Sequence, residues 1–401
     1  MRSKFTKFKK VIFAIVIIVS LITITYSSYY IFVVLEEQEP ITIIGDLGFQ
    51  NYDFEGDGSL SNPYIIELCS IRLPENAQFG EYYVAITIQY VSKCFIIRNN
   101  YIHLGNRGYG IYLDQISGNF TIENNKIIGS DQYSSRVALS LINIASDYGK
   151  ISNNEIINNH GFFFEDCINL QIINNTFKSI YEPMIRFCFD CTFYGNLILD
   201  SGQFMHVYQC PEMNISYNIF KNTPGTYRYF SYRYRSLYIN SPNTTISNNI
   251  FELTGLELDG EYSNSYLIDN NIVNGKPLGY FTNQTGLNLS IPNQYGQLFM
   301  VNCNFSSIEY QTIQDTTCPI KIVKSVNCTV YNCTLSYYLF ASMIKNSVNI
   351  TYSQCKIEEG ETGLYIWEST INLINKIFQK LDDFIMIIRS ILYLKDNIFI
   401  F

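Results

Sequence analysis

Basic charge and histidine are both scarce in this chain, and each scarcity closes off a class of function. Its 401 residues include 27 Lys or Arg against 35 Asp or Glu, a formal net charge of −8. Five of the basic side chains, Arg2, Lys4, Lys7, Lys9 and Lys10, precede residue 11, which leaves 22 basic against 35 acidic for the rest. Such a balance repels phosphate backbones, so nucleic acid is not an expected partner. The only histidines are His103, His160 and His206, too few for a His-rich metal centre. There is no phosphate-cradling Gly loop, nucleophile elbow or zinc-ligand spacing, and no cofactor is implied. Uncharged apolar runs are also few. The long one is Val11–Leu35, 25 residues without a charge.

What is abundant is a phrase, best seen in Leu170-Gln-Ile-Ile-Asn-Asn-Thr-Phe177. Indexed on its second Asn, it returns at Asn100, Asn125, Asn154, Asn175, Asn196, Asn218, Asn249, Asn271, Asn304, Cys333, Cys355, Lys376 and Asn397. Seven of the twelve intervals are 21 or 22 residues and the others run from 25 to 33, one unit plus a loop of variable size. A fixed period of this kind marks a stacked repeat architecture. Three residues before each index stands an apolar side chain, as at Ile122, Ile151, Ile172 and Phe193, and two residues after it most copies carry another, Ser306 being the exception. Spacing of two puts alternate side chains on one face of a strand. Eight residues before the index a small polar residue or Cys is usual, and that column breaks at Glu368 and Arg389.

These columns predict a coil of strands and turns in which like residues stack at about 4.8 Å per lap. About thirteen laps then make a rod. The index Asn, with an amide that both donates and accepts, is expected to bond the bend and its stacked neighbours in a ladder formed by Asn100, Asn125, Asn154, Asn175, Asn196, Asn218, Asn249, Asn271, Asn304 and Asn397.

The copies resemble the right-handed parallel β-helix repeats of the NosD-type and pectate-lyase-like superfamily. Asn62-Pro-Tyr-Ile-Ile-Glu67, Val273-Asn-Gly-Lys-Pro-Leu-Gly-Tyr280 and Gly296-Gln-Leu-Phe-Met-Val-Asn-Cys303 are similar to phrases in archaeal NosD-like surface proteins. The resemblance runs from about residue 41 to the end and implies an all-β, single-stranded right-handed parallel β-helix. It says less about function, because the repeat is shared by sugar-cleaving enzymes, adhesins and proteins of other roles.

Residues 1–10 read as a basic cytoplasmic segment and 11–35 as a transmembrane signal-anchor helix, long enough to cross a bilayer core and oriented by its basic flank. A cleaved signal peptide competes with that reading. Residues 36–80 are expected to be a linker and cap, and 81–401 the β-helix, facing outward. After Cys355 the stretch Leu381–Leu394 fits either an amphipathic helix or another coil, and the repeat phase favours the coil. The sequence stops at Phe401 inside a strand, which suggests a truncated product, a partner chain or end-to-end self-association.

The first binding candidate is the insertion Tyr227, Arg228, Tyr229, Phe230, Ser231, Tyr232, Arg233, Tyr234 and Arg235, where rings alternate with guanidinium groups in an otherwise acidic protein. Rings stack on sugar faces, and Arg clamps carboxylates or sulfates; a plain hairpin with Tyr packed on the rod is the other reading. Ten Asn-x-Ser/Thr sites occur, of which Asn243 and Asn283 are the better glycan acceptors, Asn174 and Asn332 being too close to the ladder. Eleven cysteines include the in-phase sets Cys167, Cys188, Cys210 and Cys333, Cys355, open to reading as free thiols or as stacked disulfides. Adjacent acids such as Glu165-Asp166 lack a His or Arg companion in phase, although they could meet Glu182 and Asp190 on the next lap. Met205-His206 beside Cys188 and Cys210 is the one mixed cluster that would suit copper. The reading that results is a membrane-anchored cell-surface protein for recognition or structure, binding polysaccharide or surface glycan. Its alternatives are a polysaccharide lyase or hydrolase and a NosD-like copper-handling accessory.

Overall fold

A computed structural model describes residues 37–75, 83–105, 108–129, 137–223, 236–259, 262 and 264–400. The expected anchor at 11–35 and the Tyr–Arg insertion at 227–235 therefore lie outside the described residues. Among those described, no helix is long and apolar enough to cross a membrane.

Each lap of chain lays down three short strands, each paired in parallel with its counterparts one lap before and after. The first sheet has nine strands, from Ile41–Ile44 to Leu256–Leu258. The second has nine, from Tyr64–Glu67 to Leu267–Asp269, and resumes with six more from Asn288–Leu289 to Ile391–Lys395. The third begins at Ser70–Arg72. Register is strict: Ile122, Ile151, Ile172, Phe193, Ile215 and Ile246 stand opposite one another in six consecutive rungs, all fully buried. Removing each such side chain from water is worth about 1.5–3 kcal/mol. Aromatic pairs extend the core, as where Phe220 stacks on Phe251 at 5.0 Å.

The Asn-Asn pair divides two tasks. The first Asn takes a left-handed conformation at the bend, with φ near 55° at Asn99, Asn124, Asn153, Asn174 and Asn248. Of the non-glycine residues Asn adopts this region most readily. The second Asn points inward and bonds its neighbours. At Gly195, which replaces the first Asn in one lap, φ is 65°.

The first rung is closed by a 3₁₀ turn at Asp46–Asn51. Its Phe49 is buried and lies flat on Tyr64 at 4.3 Å, covering what would otherwise be an open end of the core. Leu381–Leu394 falls in the strands Ile377–Ile388 and Ile391–Lys395, so the coil reading of that stretch holds.

Among the described residues the stack is dislocated once. After Val273 the chain turns back through Asn274 and Gly275, both with positive φ (50° and 77°), and Val273 pairs antiparallel with Lys276. Positive φ at both central residues is what a tight hairpin of this twist needs. The strand Gln297–Val301 then serves two cores: Leu298 and Met300 belong to the second, whereas Phe299 packs into the first. The end of the first nine-rung stack thus abuts an outer face of the second. This shift corrects the sequence register. Asn304 is not on the inner ladder; its Oδ1 accepts from Val326 N–H at a partly exposed bend. Gln311 occupies the ladder column, three residues after buried Ile308 and two before buried Ile313. Ser306 was the exception in the sequence columns because the phase had slipped there.

Candidate functional site

The inner ladder is continuous from Cys69 to Asn271. Each backbone N–H and each Asn Nδ2 donates to the Oδ1 of the next rung, as Asn154 does to Asn175 at 2.9 Å for both bonds. The second Nδ2 hydrogen goes back to a carbonyl of the preceding rung, for Asn175 that of Ile151 at 3.0 Å. Cysteine does the same work with one atom. Cys188 N–H points to Cys210 Sγ at 3.4 Å, and that thiol lies 3.5 Å from Ile185 O. Cys333 N–H points to Cys355 Sγ at 3.5 Å. The eleven cysteines are all free, and these in-phase thiols serve as ladder members. In the second stack serine takes over, Cys303, Ser325, Ser347 and Ser369 each donating N–H to the hydroxyl of Ser325, Ser347, Ser369 and Ser390. The apparent breaks at Glu368 and Arg389 are therefore a one-residue offset. Those two side chains occupy the left-handed bend positions (φ 46° and 49°) just before the ladder serines.

The candidate binding surface lies elsewhere, on the outer side of the first sheet. Inward Ile111, Leu113, Phe162 and Phe164 alternate with outward Tyr112 and Phe163, so strand alternation builds a row outside the core. In register this row reads Thr87, Tyr112, Ser140, Phe163, Met184, His206, Tyr238. Beside it a polar row runs Asp114, Ile142, Glu165, Arg186, Tyr208, Asn240. An open cavity of about 450 Å³ is lined by Tyr109, Tyr112, His160, Phe163, Glu182 and Met184, among others. The Arg186 guanidinium lies 4.8 Å over the Phe163 ring, and its Nη2 is 2.7 Å from Glu165 Oε1. Further along, His206 lies 5.4 Å from Tyr238, whose hydroxyl donates to Asp259 Oδ2 at 2.8 Å. Burial first, then this carboxylate, pushes the Tyr238 phenol well up; burial and Asp114 do the same more mildly to Tyr112. Both hydroxyls stay neutral donors at ordinary pH.

The other sequence candidates are dispersed. Glu165 turns to Arg186, Glu182 is exposed on the cavity wall, and Asp166 and Asp190 are exposed at left-handed bends (φ 51° each). Met205 is buried with Cys188 and Cys210 while its neighbour His206 faces outward, so the mixed copper cluster is split across the sheet. Among the described residues no group of three or more His, Cys, Asp or Glu could hold a metal ion. Asn243 and Asn283 are exposed, and so, contrary to the sequence expectation, are Asn174 and Asn332, because the first residue of each pair points outward. The aromatic row escaped the sequence reading because the repeat was indexed on inward positions. The alternation in Tyr109–Asp114 and Phe162–Glu165 was its only signal.

The family profile described as right handed beta helix region matches residues 64–188. No curated protein matches the chain by sequence. Among solved structures it is similar to the periplasmic alginate epimerase AlgG, at 12% identity over 84% of each chain with a TM-score of 0.28. It is also similar to a GH87 α-1,3-glucanase from Streptomyces thermodiastaticus, at 10% identity over 90% of this chain and 69% of that one, TM-score 0.31. A third is PfbA, a surface adhesin of Streptococcus pneumoniae, at 10% identity over 82% and 85%, TM-score 0.28. Overlays this loose carry no argument about function. The profile match, with the same parallel rungs continuing beyond both of its ends, makes this chain a right-handed parallel β-helix protein.

Proposed function

We propose that this protein binds carbohydrate chains along the outer face of its first sheet and acts in recognition at the cell surface. One observation supports this above the rest: the in-register row of Tyr112, Phe163, His206 and Tyr238 beside an open cavity with hydroxyl and carboxylate groups on its walls. Flat rings cover the apolar faces of sugars while phenols and carboxylates take up hydroxyl groups. The cavity favours neutral sugars over acidic ones, because Arg186 is committed to Glu165 and Glu182 adds negative charge. The return of the Tyr227–Arg235 insertion leads directly into Leu237–Asn240, the strand that carries Tyr238. The charge-free run Val11–Leu35 would anchor the chain with the β-helix outside.

The test is a glycan array probed with residues 36–401 and with its Tyr112→Ala/Phe163→Ala variant. Loss of a neutral-glycan signal by tenfold or more in a variant with unchanged melting supports the proposal. Equal signals, or no glycan bound by the parent protein, remove it. Release of new reducing ends or unsaturated sugars from a polysaccharide by the parent would favour the enzyme reading instead.

A further inference from the structure

Asn274-Gly275 is the only Asn-Gly step in the sequence, and it falls on the hairpin where the stack is dislocated. The fold treats its two halves oppositely. Gly275 is exposed, has open space where a side chain would stand, and among the described residues no hydrogen bond engages its N–H. The Asn274 carboxamide, by contrast, is held at both ends. Its Oδ1 accepts from Leu253 N–H at 2.7 Å, at a left-handed bend of the first stack. Its Nδ2 donates to Gln314 O at 3.0 Å and to Asp315 O at 2.9 Å, both in the strand Thr312–Thr316 of the second. Lys276 Nζ adds a bond to Thr312 O at 3.3 Å. One amide thus ties the two stacks together, and it stands next to an unengaged backbone nitrogen.

We propose that Asn274 is a spontaneous deamidation site, guarded by the closed junction and open to reaction once the stacks part. Asn before Gly is the step at which this chemistry runs most readily, because a residue without Cβ lets its nitrogen approach the preceding side chain. The Gly275 nitrogen attacks the carboxamide carbon of Asn274. The new C–N bond forms as that nitrogen loses its proton, and the carboxamide C–N bond breaks to release ammonia. Water then opens the succinimide at either carbonyl, which leaves aspartate or isoaspartate. Three hydrogen bonds keep the carboxamide turned to its partners, so the attack waits for a local opening. Reclosure is impaired in both products. Aspartate has lost both donors and sets a carboxylate against the carbonyls of Gln314 and Asp315, and isoaspartate lengthens the main chain inside a two-residue turn. The reaction therefore records opening irreversibly and loosens the junction where it has occurred.

The test incubates the full-length protein at pH 8, folded and in urea, and follows each asparagine by peptide mapping and mass spectrometry. In urea Asn274 should deamidate at least tenfold faster than any other asparagine, and in the folded protein at least tenfold more slowly than in urea. Gln297→Leu, which removes the Gln297–Leu256 bonds at the same junction, should speed Asn274 in the folded protein at least threefold. In Asn274→Asp, hydrogen exchange across Leu256–Leu258 and Thr312–Thr316 should quicken at least tenfold while Leu170–Ile173 is unaffected. Should Gln297→Leu fail to fold, the ratio of the parent's two rates and the exchange in Asn274→Asp decide. Equal rates in urea and in the fold, another asparagine ahead of Asn274 in urea, an unaltered rate in folded Gln297→Leu, or unaltered exchange in Asn274→Asp overturns the proposal.

Discussion

The carboxamide of Gln297 pairs with the backbone of Leu256 in both directions: Nε2 donates to Leu256 O at 2.7 Å, and Oε1 accepts from Leu256 N–H at 3.0 Å. One side chain thereby stands in for the missing tenth strand of the first sheet. The strand Leu256–Leu258 is the last of that sheet, and without a partner its peptide groups would be orphaned at the dislocation. Buried unpaired peptide groups cost about 1–3 kcal/mol each.

Gln297→Leu should therefore destabilise the protein by about 2–4 kcal/mol, because it orphans both groups of Leu256 at once. Gln297→Glu should lose more still at neutral pH, because it turns a carboxylate oxygen toward the carbonyls of Leu256 and Cys318 inside the core. Chemical unfolding of residues 36–401 measures both. A loss below about 0.5 kcal/mol for the Leu variant, the size of an ordinary surface substitution, would show that the edge is satisfied another way.

A second clamp holds the same junction. Lys321 Nζ donates to Glu257 Oε1 and Leu258 O, and both side chains are almost wholly enclosed. Glu257 Oε2 has no partner. Burial raises the Glu257 carboxyl above its ordinary 4.5 while Lys321 pulls it the other way. A carboxyl with a raised folded value binds its proton more tightly in the fold than in the unfolded chain. Its contribution to stability is therefore present at low pH and lost as pH climbs from 4.5 through the folded value. Lys321→Met removes the opposing pull and leaves an unpaired buried carboxylate, a loss of about 3–5 kcal/mol at neutral pH. Melting at pH 5 should recover part of that loss, and Lys321→Met/Glu257→Leu most of it. A loss in Lys321→Met that is the same at pH 5 and pH 7.5 would contradict this assignment.

Within one Asn-Asn pair the two substitutions should part company. Asn175→Ala strands the Asn154 N–H and Nδ2 donors and the Ile151 carbonyl, a loss of about 3 kcal/mol or more at 1–3 per orphaned group. Asn174 is exposed with φ 56°, so Asn174→Ala should lose only about 1–2 kcal/mol of conformational strain, and Asn174→Gly almost none. Equal losses for Asn174→Ala and Asn175→Ala would dissolve the division of labour read from the bends.

That pair also shows what the sequence makes legible. Stacking repeats a constraint at every lap, so the apolar column through Ile151, Ile172 and Phe193 and the ladder from Asn100 to Asn271 can be read without coordinates. The dislocation cannot. Its agents, Gln297, Asn274 and the Lys321–Glu257 pair, occur once each and span up to 64 residues of sequence, so no period announces them. Asn304 was misplaced for the same reason: an Asn near the right spacing is indistinguishable from a ladder member until the strand before it changes core. The outward row at Tyr112 and Phe163 was missed on other grounds, since outward positions need not repeat to keep the rod folded.

The Tyr–Arg insertion and the aromatic row make opposite demands on a ligand, and salt tells them apart. Guanidinium contacts to carboxylate or sulfate on an exposed surface are screened as the Debye length shrinks from about 10 Å at 0.1 M to 3 Å at 1 M. Ring stacking on a neutral sugar is not. Arg228→Ala/Arg233→Ala/Arg235→Ala should abolish retention on an acidic polysaccharide column at 0.1 M salt, leaving neutral-glycan binding unchanged. Tyr112→Ala/Phe163→Ala should do the reverse, with losses that persist at 1 M. A triple Arg variant that retains acidic polysaccharide as the parent does removes the insertion from the binding surface. One that loses both ligands together means that the insertion and the row act as a single site, the insertion coming just before the strand Leu237–Asn240 in sequence.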